Sequence, residues 1–206
     1  MYIPFFPLKL VAFPGESLNL HIFEPRYRQL IADVEQGQHT FGVCTFLNQL
    51  TGYGTELRLE QVFKRHEDGR LDIKTLGLRT FKILSFDNPM PGKLYAGGEI
   101  EYLTENPVCT KAEQLEYVFY LKEILFLLNY HVEFDPLTVT SFSFAHKIGL
   151  KLEEEFELLK LESESERIEF LIKHFKRLIP VIKAIESAKE KIKLNGHFKH
   201  LDPLNF

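Results

Sequence analysis

Tryptophan is absent from this chain, and cysteine occurs only at Cys44 and Cys109, in no C-x-x-C or metal-like spacing. That argues against a disulfide framework or a cysteine-built zinc site and fits a reducing compartment, the cytoplasm. An excess of positive charge is missing too. With 25 Lys+Arg against 29 Asp+Glu, a net of −4, nothing draws the chain globally to a phosphate backbone or an anionic membrane. Long apolar runs are lacking: VFYLKEILFLL at 118–128 is too short to span a bilayer and carries Lys122 and Glu123. The apolar N-terminus is interrupted by Pro4, Pro7 and Pro14 and has no basic segment before it, which makes it a poor signal peptide.

The hallmarks of catalysis are also missing. No G-x-x-x-x-G-K-[ST] or G-x-G-x-x-G occurs, which argues against a nucleotide-driven enzyme. Neither Ser17, Ser141 nor Ser143 stands in a nucleophile elbow, and Cys44, within TFGVCTFL, reads as a small buried hydrophobe. The eight histidines are scattered, and only His197-x-x-His200, with Asp202, has ligand-like spacing. That tail reads as a polar terminus, not a metal site. The run Glu153, Glu154, Glu155 and Glu157 reads as the solvated start of a helix. No catalytic residue, cofactor or metal is expected.

What is present is enough apolar material for a core. At 206 residues and 45% hydrophobic content, the chain can bury roughly 70% of the surface it exposes when unfolded. Up to about residue 105 the apolar residues alternate, as in Leu18, Leu20 and Ile22, then Leu57 and Leu59, then Leu71 and Ile73, the period of half-buried strands. Glu67-Asp68-Gly69-Arg70 is a hairpin turn between two of them. One helix interrupts, because Tyr27, Leu30, Ile31 and Val34 lie at i, i+3, i+4 and i+7 and Gly37 is placed to end it.

After about residue 108 the period becomes 3.6. Thr110 and Glu113 form a capping box ahead of a helix that is apolar nearly all round, at Leu115, Val118, Phe119, Ile124, Leu125 and Leu128, and is therefore buried or covered by a partner. A second box, Ser163-x-x-Glu166, opens a long helix whose stripe runs from Ile168 to Ile185 and which Pro180 should kink. Two domains are expected, 1–107 and 108–206.

Nineteen phenylalanines are the most distinctive content. Most must be core, but Phe5, Phe6 and Phe23 are candidates to line a groove for extended apolar peptide. Beside them stands HIFEPRYRQLI at 21–31. Pro25 suits a first helical position and biases Glu24 to an extended conformation, so the cluster reads first as a corner, with Glu24 pairing Arg28. Glu24, Arg26 and Arg28 would form the polar rim of any binding surface there.

Residues 5–34, FFPLKLVAFPGESLNLHIFEPRYRQLIADV, resemble the opening of the LON N-terminal domain family, the substrate-binding domain of ATP-dependent Lon protease (protease La). The resemblance rests on Phe6-Pro7-Leu8, Phe13-Pro14-Gly15, the stretch Leu20 to Tyr27, and Phe41-Gly42-Val43. It continues through Tyr53-Gly54-Thr55, Asp68-Gly69-Arg70, the strand Gly77 to Ile83, and KIGLKLEEEFELLKLESESERIEFL at 147–171. It implies an α+β fold, a PUA-like antiparallel β-barrel followed by a helical bundle ending in a long helix, in agreement with the change of period.

In function it implies a module that binds unfolded or degron-bearing polypeptide, or a partner protein, by apolar surface on the barrel and the groove between barrel and bundle. Homo-oligomer formation is left open, and no membrane partner is expected. Thr80 departs from the family, which often has arginine there, and Arg79 should point to the other face. The chain stops before the ATPase and Ser-Lys protease modules of full-length Lon, so alone it is expected neither to hydrolyse ATP nor to cleave peptide bonds. Two alternatives remain: an accessory component of ATP-dependent proteolysis that needs separate ATPase and protease subunits, and RNA binding by the PUA-like barrel, against which the acidic balance counts.

Overall fold

The computed structural model describes residues 1–37 and 39–197. In chain order these form β1 (Tyr2–Leu8), β2 (Ser17–Ile22), α1 (Pro25–Gln36), β3 (Thr40–Phe46), β4 (Leu50–Arg65), β5 (Leu71–Ile83), β6 (Ala96–Tyr102), α2 (Lys111–Leu127), a 3-10 turn (Ala145–Lys147), α3 (Leu152–Lys160) and α4 (Glu164–His197). The fold is mixed α+β, as expected. The strand order is β2-β5-β4-β3-β1-β6, and β6 returns to pair with β5, closing the sheet. Closure leaves β2 as the one strand of this sheet with a single described neighbour, so nearly all backbone donors and acceptors of the sheet are paired internally.

The expectation of an all-antiparallel sheet needs one correction: β1 and β3 run parallel, with Phe5 opposite Gly42 and Leu8 opposite Thr45. A parallel neighbour requires a long crossover, and the chain supplies one in β2 and α1. The residues of this pair are buried on both faces. Successive side chains of a strand point oppositely, so Phe5 and Cys44 join one apolar cluster with Ile3, Phe81 and Ile100, while Phe6 and Val43 join the other with Ile22, Tyr27, Leu30, Ile31 and Ile73.

Helix α1 forms for the reasons its sequence announces. Glu24 is extended (φ −71, ψ 136), Pro25 takes the first turn, and Tyr27, Leu30, Ile31 and Val34 are the buried residues. Each such burial is worth about 1.5–3 kcal/mol. The helix stops at Gly37, yet the left-handed residue is His39, at φ 59. At Gly77 of β5 a Cβ would collide with the carbonyl of Phe13, so glycine there lets the 13–16 loop close onto the strand, where Gly77 N–H donates to Glu16 O at 2.8 Å.

Two compact units result. Met1–Val108 and Thr140–Arg167 form one; Cys109–Val139 and the chain from Ile168 onward form the other. In the first, Glu164 and Arg167 are buried together but fully engaged. The Ser141 N–H and hydroxyl both donate to Glu164 at 2.7 Å, and Arg167 donates to Glu164 at 3.0 Å and to Leu161 O at 2.8 Å. In the second unit the Thr110–Glu113 capping box is formed, and Tyr117, Leu121, Ile124, Leu171 and Phe175 are buried, with the Tyr117 and Phe175 rings stacked at 6.2 Å. Pro180 lies inside α4, whose apolar stripe is buried as far as Ile179 and exposed at Ile185.

The glutamates opening α3 are not all solvated. Glu155 is buried and accepts from His146 Nδ1 at 2.8 Å, while His146 Nε2 lies 3.2 Å from Glu16. These two acceptors, the Glu155 bond foremost, raise the His146 pKa to about 10. A histidine whose folded pKa exceeds its unfolded value of about 6.5 contributes stability fully below that value and loses it as pH rises toward the folded pKa. Urea midpoints should therefore decline between about pH 6.5 and pH 10, and a His146→Gln variant should lack this component. A constant gap between the two proteins across that window would remove His146 as its source.

Candidate functional site

The corner at residues 21–28 is built against the β4–β5 hairpin. Strand β2 delivers His21, and Pro25 turns the chain into α1. The hairpin loop Glu67-Asp68-Gly69 closes with Gly69 N–H donating to His66 O at 3.0 Å and His66 N–H donating to Arg70 O at 2.9 Å. Gly69 has φ +82, a conformation that suits glycine, as in a three-residue loop ending in a bulge. Arg28 donates from Nη1 to Asp68 O at 3.0 Å, and a Cβ on Gly69 would collide with that guanidinium. One glycine thus satisfies both the turn and the arginine that staples it to the helix.

On this support sit the polar and aromatic groups. His21 and Asp72 are register partners across β2 and β5. Asp72 accepts from His21 Nδ1 at 2.5 Å and from His66 Nε2 at 2.8 Å, and these bonds, His21 first, hold its carboxyl below the usual range. The Phe23 ring, 60% exposed, stacks on the His21 imidazole with centroids 6.2 Å apart. Arg26 pairs with Glu24 at 2.8 Å and lies over the Tyr27 ring at 4.5 Å. The patch is an exposed aromatic beside a charged rim and a His-Asp-His chain, and His21, His66 and Asp72 are the residues here with metal-ligand chemistry.

The six residues singled out by sequence part company. Phe23, Glu24, Arg26 and Arg28 are brought together. Phe5 and Phe6, at 0% and 5% exposure, belong to the two cores and offer no surface, because β1 is covered on both faces. The Glu24–Arg28 pair anticipated from i, i+4 spacing gives way to Glu24–Arg26, since the hairpin carbonyl takes Arg28, and the Glu24 side chain makes no capping bond. Asp68 was read only as part of the hairpin turn, and His66 and Asp72 went unnoticed in the sequence; the signal for Asp72 was the cross-strand register that puts it opposite His21. Thr80 is buried and Arg79 points outward, donating to Glu56 at 3.0 Å and lying 3.7 Å above the Tyr102 ring, as the alternation predicts. Cys44 is fully buried and burial pushes its thiol pKa up, which leaves no nucleophile there. The tail side chains His197, His200 and Asp202 lie outside the described residues.

The second unit carries a separate apolar surface. Val118, Ile124 and Leu125 of α2 are buried, but Leu115, Phe119 and Phe126 are 60%, 64% and 70% exposed. A concavity of about 340 Å³ beside Phe126 is lined also by Leu125, Tyr130, His131, Val132 and Phe134, with the charged Lys122 and Glu133 in its wall. Among the described residues no helix is long and apolar enough to cross a membrane.

Comparison with known proteins assigns this architecture. Residues 2–177 match the model of the ATP-dependent protease La (LON) substrate-binding domain, and the chain belongs to that family. The fold is shared with a Lon N-terminal domain protein from Xanthomonas campestris (TM-score 0.66, 24% identity, 84% of this chain and 98% of that one). It is shared as well with the N-terminal domain of Mycobacterium avium complex Lon protease (TM-score 0.65, 16% identity, 85% and 98%).

The geometry separates corner from surface in a measurable way. Tyr27 is buried with its ring centroid 3.9 Å from that of Phe6, so Tyr27→Ala should cost about 3–5 kcal/mol in urea denaturation. Arg26→Ala, at an exposed ion pair, should cost less than about 1 kcal/mol. Equal losses would make Arg26 part of the scaffold.

Proposed function

We propose that this chain is a non-catalytic polypeptide-recognition module that binds unfolded or degron-bearing protein, or docks a partner protein. The observation that carries the reading is the family match over residues 2–177, whose description is substrate binding. The exposed groups support it. Phe23 presents a large apolar face at little entropic cost, and Arg26 with Glu24 supplies the polar rim that orients a bound chain. Strand β2, which ends beside Phe23, pairs with β5 alone among the described strands. An extended peptide can add to that edge by main-chain hydrogen bonds, with side-chain contacts to Phe23 giving preference. The exposed face of α2 at Leu115, Phe119 and Phe126 offers a second apolar contact area.

Titration of a labelled, permanently unfolded polypeptide, followed by fluorescence anisotropy, tests the reading. Saturable binding is expected, with Phe23→Ala about tenfold weaker, as for a central aromatic contact, and an unchanged melting temperature. Arg26→Ala should weaken binding less. Binding no stronger than that of a control globular protein would refute polypeptide recognition.

A further inference from the structure

We propose that His21, His66 and Asp72 form a binding site for a divalent transition-metal ion of the zinc class. The proposal is independent of polypeptide recognition and rests on the geometry of three side chains. One ligand atom from each, a ring nitrogen of His21, a ring nitrogen of His66 and a carboxylate oxygen of Asp72, lies within 4.8 Å of the others, and the nitrogens that face the carboxylate are His21 Nδ1 and His66 Nε2. Ligands of a tetrahedral zinc ion, at about 2.0–2.1 Å from the metal, stand about 3.3–3.4 Å from one another. The two imidazole–carboxylate distances, 2.5 and 2.8 Å, are shorter than this because each gap holds a proton. Opening the cluster around an ion requires side-chain adjustments on the order of 1 Å, with the strands in place.

The donor set selects the metal. Two imidazole nitrogens and one carboxylate oxygen suit zinc, cobalt, nickel or copper, whereas magnesium and calcium require oxygen ligands. Three protein ligands leave a position for water, and the side-chain exposures of 45%, 22% and 21% for His21, His66 and Asp72 give solvent that access. The scaffold is rigid: cross-strand register sets His21 against Asp72, and the hairpin bond to Arg70 holds His66. Phe23 covers one side of the His21 ring.

The proton balance is simple. Each imidazole must present its coordinating nitrogen without a proton, so a neutral ring moves its proton to the remote nitrogen and a protonated ring releases one to water. The Asp72 carboxylate already carries the negative charge that the cation meets. The ion replaces two N–H···O bonds by two metal–nitrogen bonds and one metal–oxygen bond.

Chelator-treated chain, titrated with Zn²⁺ by calorimetry and with Co²⁺ by visible absorption, provides the test. One equivalent is expected at this site, with cobalt bands of low coordination number. His66→Ala and Asp72→Asn should each weaken binding by about 100-fold, since even loss of a second-shell partner costs 10–100-fold. Both variants should remain folded without metal, with Asp72→Asn melting lower because it gives up the bonds of a carboxylate to His21 and His66, and if Asp72→Asn fails to fold, His66→Ala decides. A His197→Ala/His200→Ala variant should bind as the unsubstituted chain does. The proposal is overturned if neither ion binds, or if binding survives His66→Ala undiminished, whatever the tail variant does.

Discussion

The contact between Phe6 and Tyr27, with ring centroids 3.9 Å apart, is the constraint on which the first compact unit depends. Phe6 is one of two successive phenylalanines in a strand covered on both faces, and Tyr27 is the first buried residue of α1. Their contact fixes where α1 lies on the sheet. Once α1 is placed, Arg28 reaches the hairpin carbonyl of Asp68, and the hairpin in turn sets His66 beside Asp72. The surface that carries Phe23 is thus a consequence of core packing, which makes it rigid without any bond of its own to a ligand.

Polar groups inside this unit follow the rule that a buried charge persists only when fully engaged. Glu164 accepts from Ser141 and Arg167, and Arg167 in turn stands over the Phe142 ring at 4.6 Å. His146 bridges Glu16 of the 13–16 loop and Glu155 of α3, and its raised pKa is the measure of that double engagement. Both clusters join the segment 140–167 to residues of its own unit or to itself. They read as scaffold, because every ionised partner is satisfied.

Much of the fold was legible because its signals are local. The spacing of Tyr27, Leu30, Ile31 and Val34, the proline at position 25 and the Thr110–Glu113 box are periodicities and caps that act within one or two turns, and each appears as expected. The parallel β1–β3 pair was not legible, since nothing in either strand states the direction of its neighbour. Nor was the fate of Phe5 and Phe6: an aromatic pair reads alike whether one face or both are covered. The buried Glu155 was hidden because its partner His146 lies 9 residues away outside α3, and the other acceptor of that histidine, Glu16, is 130 residues from it.

The candidate site divides along the same line. Phe23, Glu24, Arg26 and Arg28 stood out as one dense stretch, and local propensity alone determined that the chain turns there, because proline restricts its predecessor and suits a first helical turn. That stretch also carried the family. What only the tertiary structure decided is which groups meet it: Asp68 takes Arg28 from Glu24, and His66 and Asp72 come to His21 from a hairpin more than 40 residues later. Cross-strand register and hairpin geometry make those encounters, and both are properties of paired strands that no single segment contains.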